Sequence, residues 1–215
     1  MTKIITFASS KGGSGKSTLC VNIAAYFGVR GKKVTILDAD FQRSAHDWIN
    51  DSSDPLLKSI AAISAQSEAD IQRAAEETSA DVLCIDSQGA INQELGICLA
   101  LADVIITPCR PSRDDSVGLG WINAFAQQSK TAYENSDPVL LAVMNAVNKR
   151  SAVFLHTVSQ LHDDGFNVAK TALSQRVSYA EANVNRCSIF AQNSLAAHEM
   201  RSLGLEIYTL LKERG

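Results

Sequence analysis

A short glycine-rich segment near the start of the chain constrains the fold more than any other stretch. Residues 8–18 read Ala-Ser-Ser-Lys-Gly-Gly-Ser-Gly-Lys-Ser-Thr. They follow an apolar run at 4–7 that is typical of a buried strand, and they precede a segment at 19–27 that is typical of a helix. A strand, a glycine-rich turn, Gly-Lys-Ser and a helix in this order predict a phosphate-binding loop, because backbone N–H groups and the helix N-terminus then face one anion.

The residues of this loop have predicted roles that follow from the chemistry of a bound nucleotide. We expect Lys16 to reach the β- and γ-phosphates and the Ser17 hydroxyl to ligate Mg²⁺. The glycines let the backbone adopt left-handed angles and approach the phosphates closely. The predicted nucleotide-binding residues of the loop are Lys11, Gly12, Gly13, Ser14, Gly15, Lys16, Ser17 and Thr18.

The loop departs from the plain pattern G-x-x-x-x-G-K-[ST] in a way that narrows its interpretation. Ser10 stands at the position of the first glycine, and a second lysine, Lys11, follows it at once. Lys-Gly-Gly-Ser-Gly-Lys-Ser is the deviant Walker A form, and with it the chain resembles the ParA/MinD family of P-loop ATPases. The resemblance implies ATP and Mg²⁺ as ligands, a homodimer when ATP is bound, and catalytic roles for Lys16 and for Lys11, which crosses the dimer interface. The sequence shows no local anion to which Lys11 would pair instead.

A first acidic residue, Asp86, ends an apolar strand and is followed by Ser87-Gln88-Gly89. Its position matches a Walker B aspartate, which is expected to hold a Mg²⁺-bound water. The Asp-Ser-Gln-Gly sequence resembles the D-x-x-G motif of the family, in which the glycine lies near the γ-phosphate. A carboxylate that only caps the next turn is the alternative.

A second acidic motif, Asp38-Ala39-Asp40, ends another apolar strand and resembles the family motif D-x-D-P-Q, with Phe41 in place of proline. The resemblance implies that Asp40 positions or polarises the attacking water and that Asp38 supports the metal shell. The metal-site prediction therefore comprises Ser17, Asp38 and Asp86. A capping role remains the alternative for Asp40.

Two later strand ends carry weaker signals. Pro108-Cys109-Arg110-Pro111-Ser112 resembles the P-x-x-P-S segment that lies beside the nucleotide and the dimer face in the family, so Pro108 is a candidate nucleotide contact. Asn145 occupies the place where relatives present an asparagine to the adenine ring. An ordinary strand-to-helix loop and an ordinary turn residue remain the alternatives.

Apolar strands alternate with helical segments along the whole chain. This alternation predicts an α/β fold, with a mainly parallel sheet and helices on both faces, of the P-loop NTPase type and in one domain over residues 1–215. The strand ends that carry chemistry should then meet at one edge of the sheet. The predicted strands are 4–7, 33–38, 60–63, 81–86, 104–108, 139–143 and 168–172, and the predicted helices are 19–27, a short one capped by Ser44, 68–78, 91–101, one from Asp114 or Asp115 to Lys130, 151–163 and 194–213, with a loop at 51–59.

Composition and charge limit the classes of function. Hydrophobic residues make up 46% and charged residues 20% of the 215, a profile of folded proteins. The formal net charge of −3 means that any contact with DNA needs a local basic patch. The sequence has no apolar run of membrane-spanning length and no signal segment, which predicts a cytoplasmic protein without a membrane partner. None of the five cysteines forms a C-x-x-C pair, which favours reduced thiols.

The resemblance also implies a function. It predicts a ParA-type ATPase that dimerises on ATP, binds DNA non-specifically on the nucleoid, and positions or segregates a cargo, either a plasmid or a protein assembly. A partner protein would stimulate hydrolysis and link to the cargo. The candidate DNA contacts are Lys170, Arg176 and Arg186 in the C-terminal third, although scattered charges on a solvated face would look the same. A MinD-like membrane-associated ATPase and an ATP-dependent metabolic enzyme on the same fold are the alternatives.

Overall fold

A parallel sheet forms the centre of the fold. The computed structural model describes residues 2–133 and 137–213, and within them the sheet has seven strands in the order β3-β2-β4-β1-β5-β6-β7. Every strand pairing in the sheet is parallel, so the strands end at one common edge and the predicted α/β class is confirmed. The strands are β1 (Lys3–Phe7), β2 (Val34–Asp38), β3 (Ala61–Ser64), β4 (Val82–Asp86), β5 (Val104–Cys109), β6 (Val139–Met144) and β7 (Asn167–Val168).

Helices cover both faces of this sheet, because its central strands are apolar on both sides. One apolar cluster packs the first, second and last helices against Ile5 and Phe7 of β1, and a second packs three other helices against Ile105 of β5. None of the described helices is long and apolar enough to cross a membrane. The helices are α1 (Lys16–Val29), α2 (Ser44–Asn50), α3 (Pro55–Lys58), α4 (Glu68–Glu77), α5 (Gln93–Ala100), α6 (Arg113–Tyr133), α7 (Ala152–Asp163), α8 (Val177–Val184) and α9 (Leu195–Glu213), with a 3₁₀ turn at Ile189–Ala191.

Three segments differ from the prediction. The loop predicted at 51–59 contains α3, which Asp54 caps by accepting a hydrogen bond from the N–H of Leu56. The strand predicted at 168–172 is only the two-residue β7: the N–H of Ala169 still donates to Ala142 of β6, but among the described residues the next N–H that reaches β6 is that of Leu173, which donates to Met144. No helix was predicted at 177–184, where the structure has α8.

Candidate functional site

The glycine-rich loop lies between the end of β1, near the middle of the sheet, and the start of α1. Gly13 and Gly15 have φ angles of 71° and 100°, which L side chains rarely adopt. The Ser9 hydroxyl donates to the carbonyl oxygen of Lys11 at 2.7 Å and lies 2.8 Å from the Ser14 hydroxyl. These bonds brace the loop from inside, so its open backbone concavity exists before any anion arrives.

Neighbouring segments hold the loop from outside through close backbone approaches. A Cβ placed on Gly89, in the loop after β4, would lie 2.9 Å from the backbone N of Gly12 and from the carbonyl carbon of Lys11. On the other side, Gly118 of α6 packs against the Ser10 side chain so closely that a Cβ there would overlap the hydroxyl. A larger residue at position 89 would therefore have to displace the phosphate loop itself.

Lys16 begins α1 and its side chain is buried. Burial lowers its pKa, and the negative charges of Asp86 and Asp40 oppose that effect. Both carboxylates therefore lie close enough to Lys16 to interact with its ammonium group. The structure thus brings the predicted phosphate-binding lysine and two of the three predicted acidic residues into one site.

Asp86 ends β4 and carries the most informative side chain of the site. It is fully buried, and neither carboxylate oxygen has a hydrogen-bond partner among the described residues. Burial, reinforced by the negative charge of Asp38, raises its pKa to about 7. The nearby Ser17 hydroxyl and Lys16 lower that pKa in part, although Ser17 does not complete a hydrogen bond with either oxygen. A buried carboxylate without a donor is costly unless something positive binds there.

Asp38 ends β2 directly opposite Asp86 in the strand register, but its surroundings are different. Its Oδ2 accepts hydrogen bonds from the N–H groups of Ala45 and His46 at 2.9 Å, and its Oδ1 accepts one from Asp40 at 3.0 Å. Asp38 therefore caps α2, while the predicted cap, Ser44, is the first residue of the helix. With its carboxylate occupied by three donors, the contacts of Asp38 favour capping over the predicted role in the metal shell.

Asp40 follows in a turn that faces the same edge of the sheet. Its Oδ1 accepts a hydrogen bond from the N–H of Gln42 at 2.9 Å, and its side chain is half-buried. Its charge acts on both Lys16 and Asp86, so it lies beside the phosphate loop as the sequence predicted. Phe41, which replaces the proline of the family motif, is 63% exposed and leaves the acidic turn intact.

Lys11 has a partner that the sequence did not reveal. Its Nζ lies 2.5 Å from Oδ1 of Asp115, a buried residue in the first turn of α6. The expectation that Lys11 has no anion to pair with is therefore wrong, because the fold brings α6 against the loop. Asp115 also accepts hydrogen bonds from the backbone and side chain of Arg110 and from the Ser112 hydroxyl. Burial alone would raise the pKa of Asp115, but these donors and Lys11 lower it to about 2.

Pro108 lies within the sheet, whereas Asn145 contacts the phosphate loop. Pro108 lies inside β5, paired with Val143 of β6, and its side chain is buried, so the structure places it in the sheet rather than in a loop that faces a ligand. Asn145 follows β6 and donates from Nδ2 to the carbonyl oxygen of Ser14 at 2.9 Å. The same side chain lies so close to Gly15 that a Cβ on that glycine would meet Nδ2 at 2.5 Å. Asn145 therefore contacts the phosphate loop directly.

A cavity of about 210 Å³ opens beside this contact. Gly15 and Thr18 form one wall, and residues that follow β6 and β7 form the other. The further lining of the cavity includes Asn145, Ser174, Gln175, Arg176, Tyr179 and Met200.

The structure does not bring the three predicted DNA contacts together. Lys170 is exposed and lies next to Glu206 of α9, whereas Arg186 is near Asp47 of α2. The guanidinium of Arg176 binds Glu199 of α9 and lines the cavity. DNA contact stays a prediction for all three, and the contacts of Arg176 favour a role in the cavity wall.

Asp115 and Glu199 are site residues that the sequence reading did not assign. Ser112-x-x-Asp115 is a capping-box spacing, which gives the start of α6 but not the contact with Lys11. Glu199 lies beside the apolar stripe of α9, where a charged residue indicates a specific partner.

Comparisons with known proteins agree with this geometry. Protein ParA of Rhizobium radiobacter is 26% identical over 180 residues, which are 82% of this chain and 80% of that protein. Maintenance of carboxysome distribution protein A of Halothiobacillus neapolitanus is 25% identical over 210 residues, 94% of this chain and 95% of that protein. The structure of a plasmid partition protein from Borrelia burgdorferi bound to AMPPNP matches with a TM-score of 0.76 at 19% identity, covering 97% of this chain and 99% of that one.

At that identity the structural match establishes the fold alone. The sequence of residues 5–187, however, matches the family described as the CobQ/CobB/MinD/ParA nucleotide binding domain, and this match spans most of the chain. With a braced phosphate loop, a buried lysine and a buried carboxylate at its centre, the chain belongs to the CobQ/CobB/MinD/ParA nucleotide-binding family.

Proposed function

We propose that this chain is an ATP-hydrolysing positioning protein of the ParA type, with Mg²⁺-ATP as its ligand. The observation that carries the nucleotide assignment is Asp86, a fully buried carboxylate beside Lys16 and Ser17 that has no hydrogen-bond partner within residues 2–133 and 137–213. A magnesium ion held by the Ser17 hydroxyl, with Asp86 acting directly or through a water, fits this donor set, since Mg²⁺ prefers oxygen ligands and keeps several waters. When bound, the ion would neutralise phosphate charge.

The residues around the loop have separate tasks in this proposal. Backbone N–H groups of the loop and the N-terminus of α1 bind the phosphates, and the buried ammonium of Lys16 adds a positive charge. Asp40 positions or polarises the attacking water, and its carboxylate is close enough to Lys16 and Asp86 to act on both. Asn145 and the cavity beside it receive the nucleoside.

The positioning part of the proposal rests on Lys11 and on the relatives. A second lysine at the apex of the loop, 38% exposed, is able to reach a partner subunit once it leaves Asp115. We infer a homodimer in the ATP state that binds DNA without sequence preference and releases it after hydrolysis stimulated by a partner protein. The ParA and carboxysome-distribution relatives point to a plasmid or a protein assembly as the cargo.

A sedimentation experiment tests this function against its alternatives. The protein is spun with plasmid DNA or with anionic liposomes, in Mg²⁺-ATP and in Mg²⁺-ADP, and phosphate release is measured in parallel. We expect the protein to pellet with DNA in ATP and to remain in the supernatant in ADP. Pelleting with liposomes alone would assign a membrane-associated ATPase, and ATP consumption that yields an activated carboxylate would assign a metabolic enzyme.

A further inference from the structure

The side chain of Glu199 connects α9 to two distant loops. Its Oε1 accepts hydrogen bonds from the Ser174 hydroxyl at 2.7 Å, from Lys149 Nζ at 2.8 Å and from Arg176 Nη2 at 3.2 Å. Its Oε2 accepts hydrogen bonds from the backbone N–H of Ser174 at 3.1 Å and from Arg176 Nε at 3.3 Å. One carboxylate thus gathers the segment after β6 and the segment after β7.

The carboxylate of Glu199 is ionised at neutral pH. Burial by itself would raise its pKa, but the hydrogen bonds from Arg176, Lys149 and Ser174 lower the pKa to about 2. The side chain is only 13% exposed, so water does not compete strongly for these donors. Charge-assisted hydrogen bonds in such a place are stronger than neutral ones.

The partners of Glu199 form the cavity wall that faces the phosphate loop. Ser174 and Arg176 line the cavity, whereas Glu199 itself does not reach it. Backbone bonds attach this wall to the segment after β6 as well: Val147 bonds to Leu173 and Gln175, and the N–H of Leu173 donates to Met144. The side chains of Ser174 and Arg176 are held by Glu199. The segment has no regular secondary structure between β7 and α8, so its side-chain positions depend on such contacts.

We propose that Glu199 is a positioning residue for the nucleoside part of the bound nucleotide: it fixes Ser174 and Arg176 as a rigid wall of the cavity beside the phosphate loop. This inference rests on the proposed function, because it takes nucleotide to bind at that loop. The phosphates are held by a separate set of groups in the loop. Removal of Glu199 should therefore weaken the recognition of base and ribose and leave that of phosphate unchanged.

Glu206 provides a matched control on the same helix. It lies seven residues after Glu199, on the same face of α9, and it also anchors the chain between β7 and α8. Its carboxylate accepts hydrogen bonds from the N–H of Lys170 and from the Thr171 hydroxyl, and neither residue lines the cavity. Glu206→Gln thus removes a comparable anchor without touching the cavity wall.

The test compares Glu199→Gln with Glu206→Gln by calorimetric titration with two ligands, Mg²⁺-ATP and Mg²⁺-tripolyphosphate. If tripolyphosphate binds too weakly for direct titration, its Kd is measured by competition with ATP. A glutamine offers one acceptor oxygen, so it cannot serve both sets of donors. We expect Glu199→Gln to weaken ATP binding about tenfold and tripolyphosphate binding less than about twofold. Glu206→Gln should change neither Kd.

Two results would overturn the proposal: an equal loss for both ligands in Glu199→Gln, which indicates general loosening, or no loss for either. If Glu199→Gln does not fold, Lys149→Met replaces it, since it removes one donor to Glu199 without changing the cavity wall and should give a smaller loss for ATP alone. Failure of the parent protein to bind ATP would refute the proposed function instead, so the two failures are distinguishable.

Discussion

Replacement of Asp86 by asparagine should make the nucleotide-free protein less sensitive to rising pH. The carboxyl group of Asp86 is fully buried and receives no hydrogen bond from any described residue, and its pKa is raised to about 7. In the unfolded chain the same group titrates near its ordinary pKa of about 3.9. Asparagine has nearly the same shape and never ionises, so Asp86→Asn removes the titration while the packing is kept.

The sign and size of the effect follow from proton linkage. Between about pH 3.9 and 7 the folded state of the parent binds the proton more tightly than the unfolded state, so stability falls as pH rises and levels off above 7. The difference between the two pKa values corresponds to at most about 4 kcal/mol, of which about 2.5 kcal/mol falls between pH 5 and pH 8. Between pH 5 and pH 8, the free energy of unfolding of the parent should therefore fall by up to about 2.5 kcal/mol more than that of Asp86→Asn.

Urea unfolding at pH 5 and pH 8, without nucleotide and with EDTA, measures this difference. Asp38→Asn is the comparison on the adjacent strand: burial raises the pKa of Asp38 as well, but hydrogen bonds from three backbone N–H groups lower it in part, so this variant should change the pH dependence less than Asp86→Asn does. We expect it to be less stable than the parent at pH 8 by about 1 kcal/mol, because the single amide oxygen of asparagine cannot serve all three N–H donors. Addition of Mg²⁺-ATP should then stabilise the parent more than Asp86→Asn.

Equal pH dependence of the parent and Asp86→Asn would refute the reasoning, since it would mean that Asp86 does not titrate in this range. A Mg²⁺-specific stabilisation that survives in Asp86→Asn would separate the buried carboxylate from the metal site. Either result would remove the observation on which the nucleotide assignment rests.

Other predictions concern the dimer, hydrolysis and DNA. Lys11→Ala should bind Mg²⁺-ATP but not dimerise by light scattering, and Asp115→Asn should dimerise at up to about thirtyfold lower protein concentration, because the two Lys11 side chains of the dimer, at about 1 kcal/mol each, are no longer held; unchanged dimerisation in both variants would contradict this role. Asp40→Ala should release phosphate at least about a hundredfold more slowly while it accumulates as an ATP-bound dimer, and parental turnover would exclude Asp40. Charge reversal at Lys170 or Arg186 should weaken salt-sensitive binding to random DNA in mobility shifts with ATP, without altering ATP affinity; full binding by both would place the DNA contact elsewhere.

The parts of this molecule that local sequence determines were predictable. The alternation of apolar strands with helices gave the parallel sheet, and the glycine-rich loop gave the position of the phosphate site at its carboxyl edge. The alternation failed at β7, where regular pairing with β6 stops after Ala169 and a backbone bond to β6 returns only at Leu173. The apolar pattern of residues 168–172 does not show where this pairing ends.

The aspartates at the ends of β2 and β4 show more clearly what the local sequence does not predict. Asp38 and Asp86 each end a buried strand and lie opposite each other in the register, so the sequence assigns them similar metal roles. The structure separates them because the N-terminus of α2 folds back onto Asp38 and satisfies it, whereas no N–H group in the described part of the chain bonds to Asp86. The difference is the direction of the chain after each strand, which the pattern of apolar residues does not specify.

The contacts around Asp115 explain how Lys11 can be held in one state and released in another. Asp115 is buried, so losing every positive partner would leave a costly unpaired charge. It keeps the side chain and backbone of Arg110 and the Ser112 hydroxyl, however, when Lys11 departs. Lys11 itself is 38% exposed and can be hydrated as it leaves. Release of Lys11 therefore costs no more than a partly exposed ion pair, about 1 kcal/mol, an amount that contact with the phosphates of a second subunit would offset.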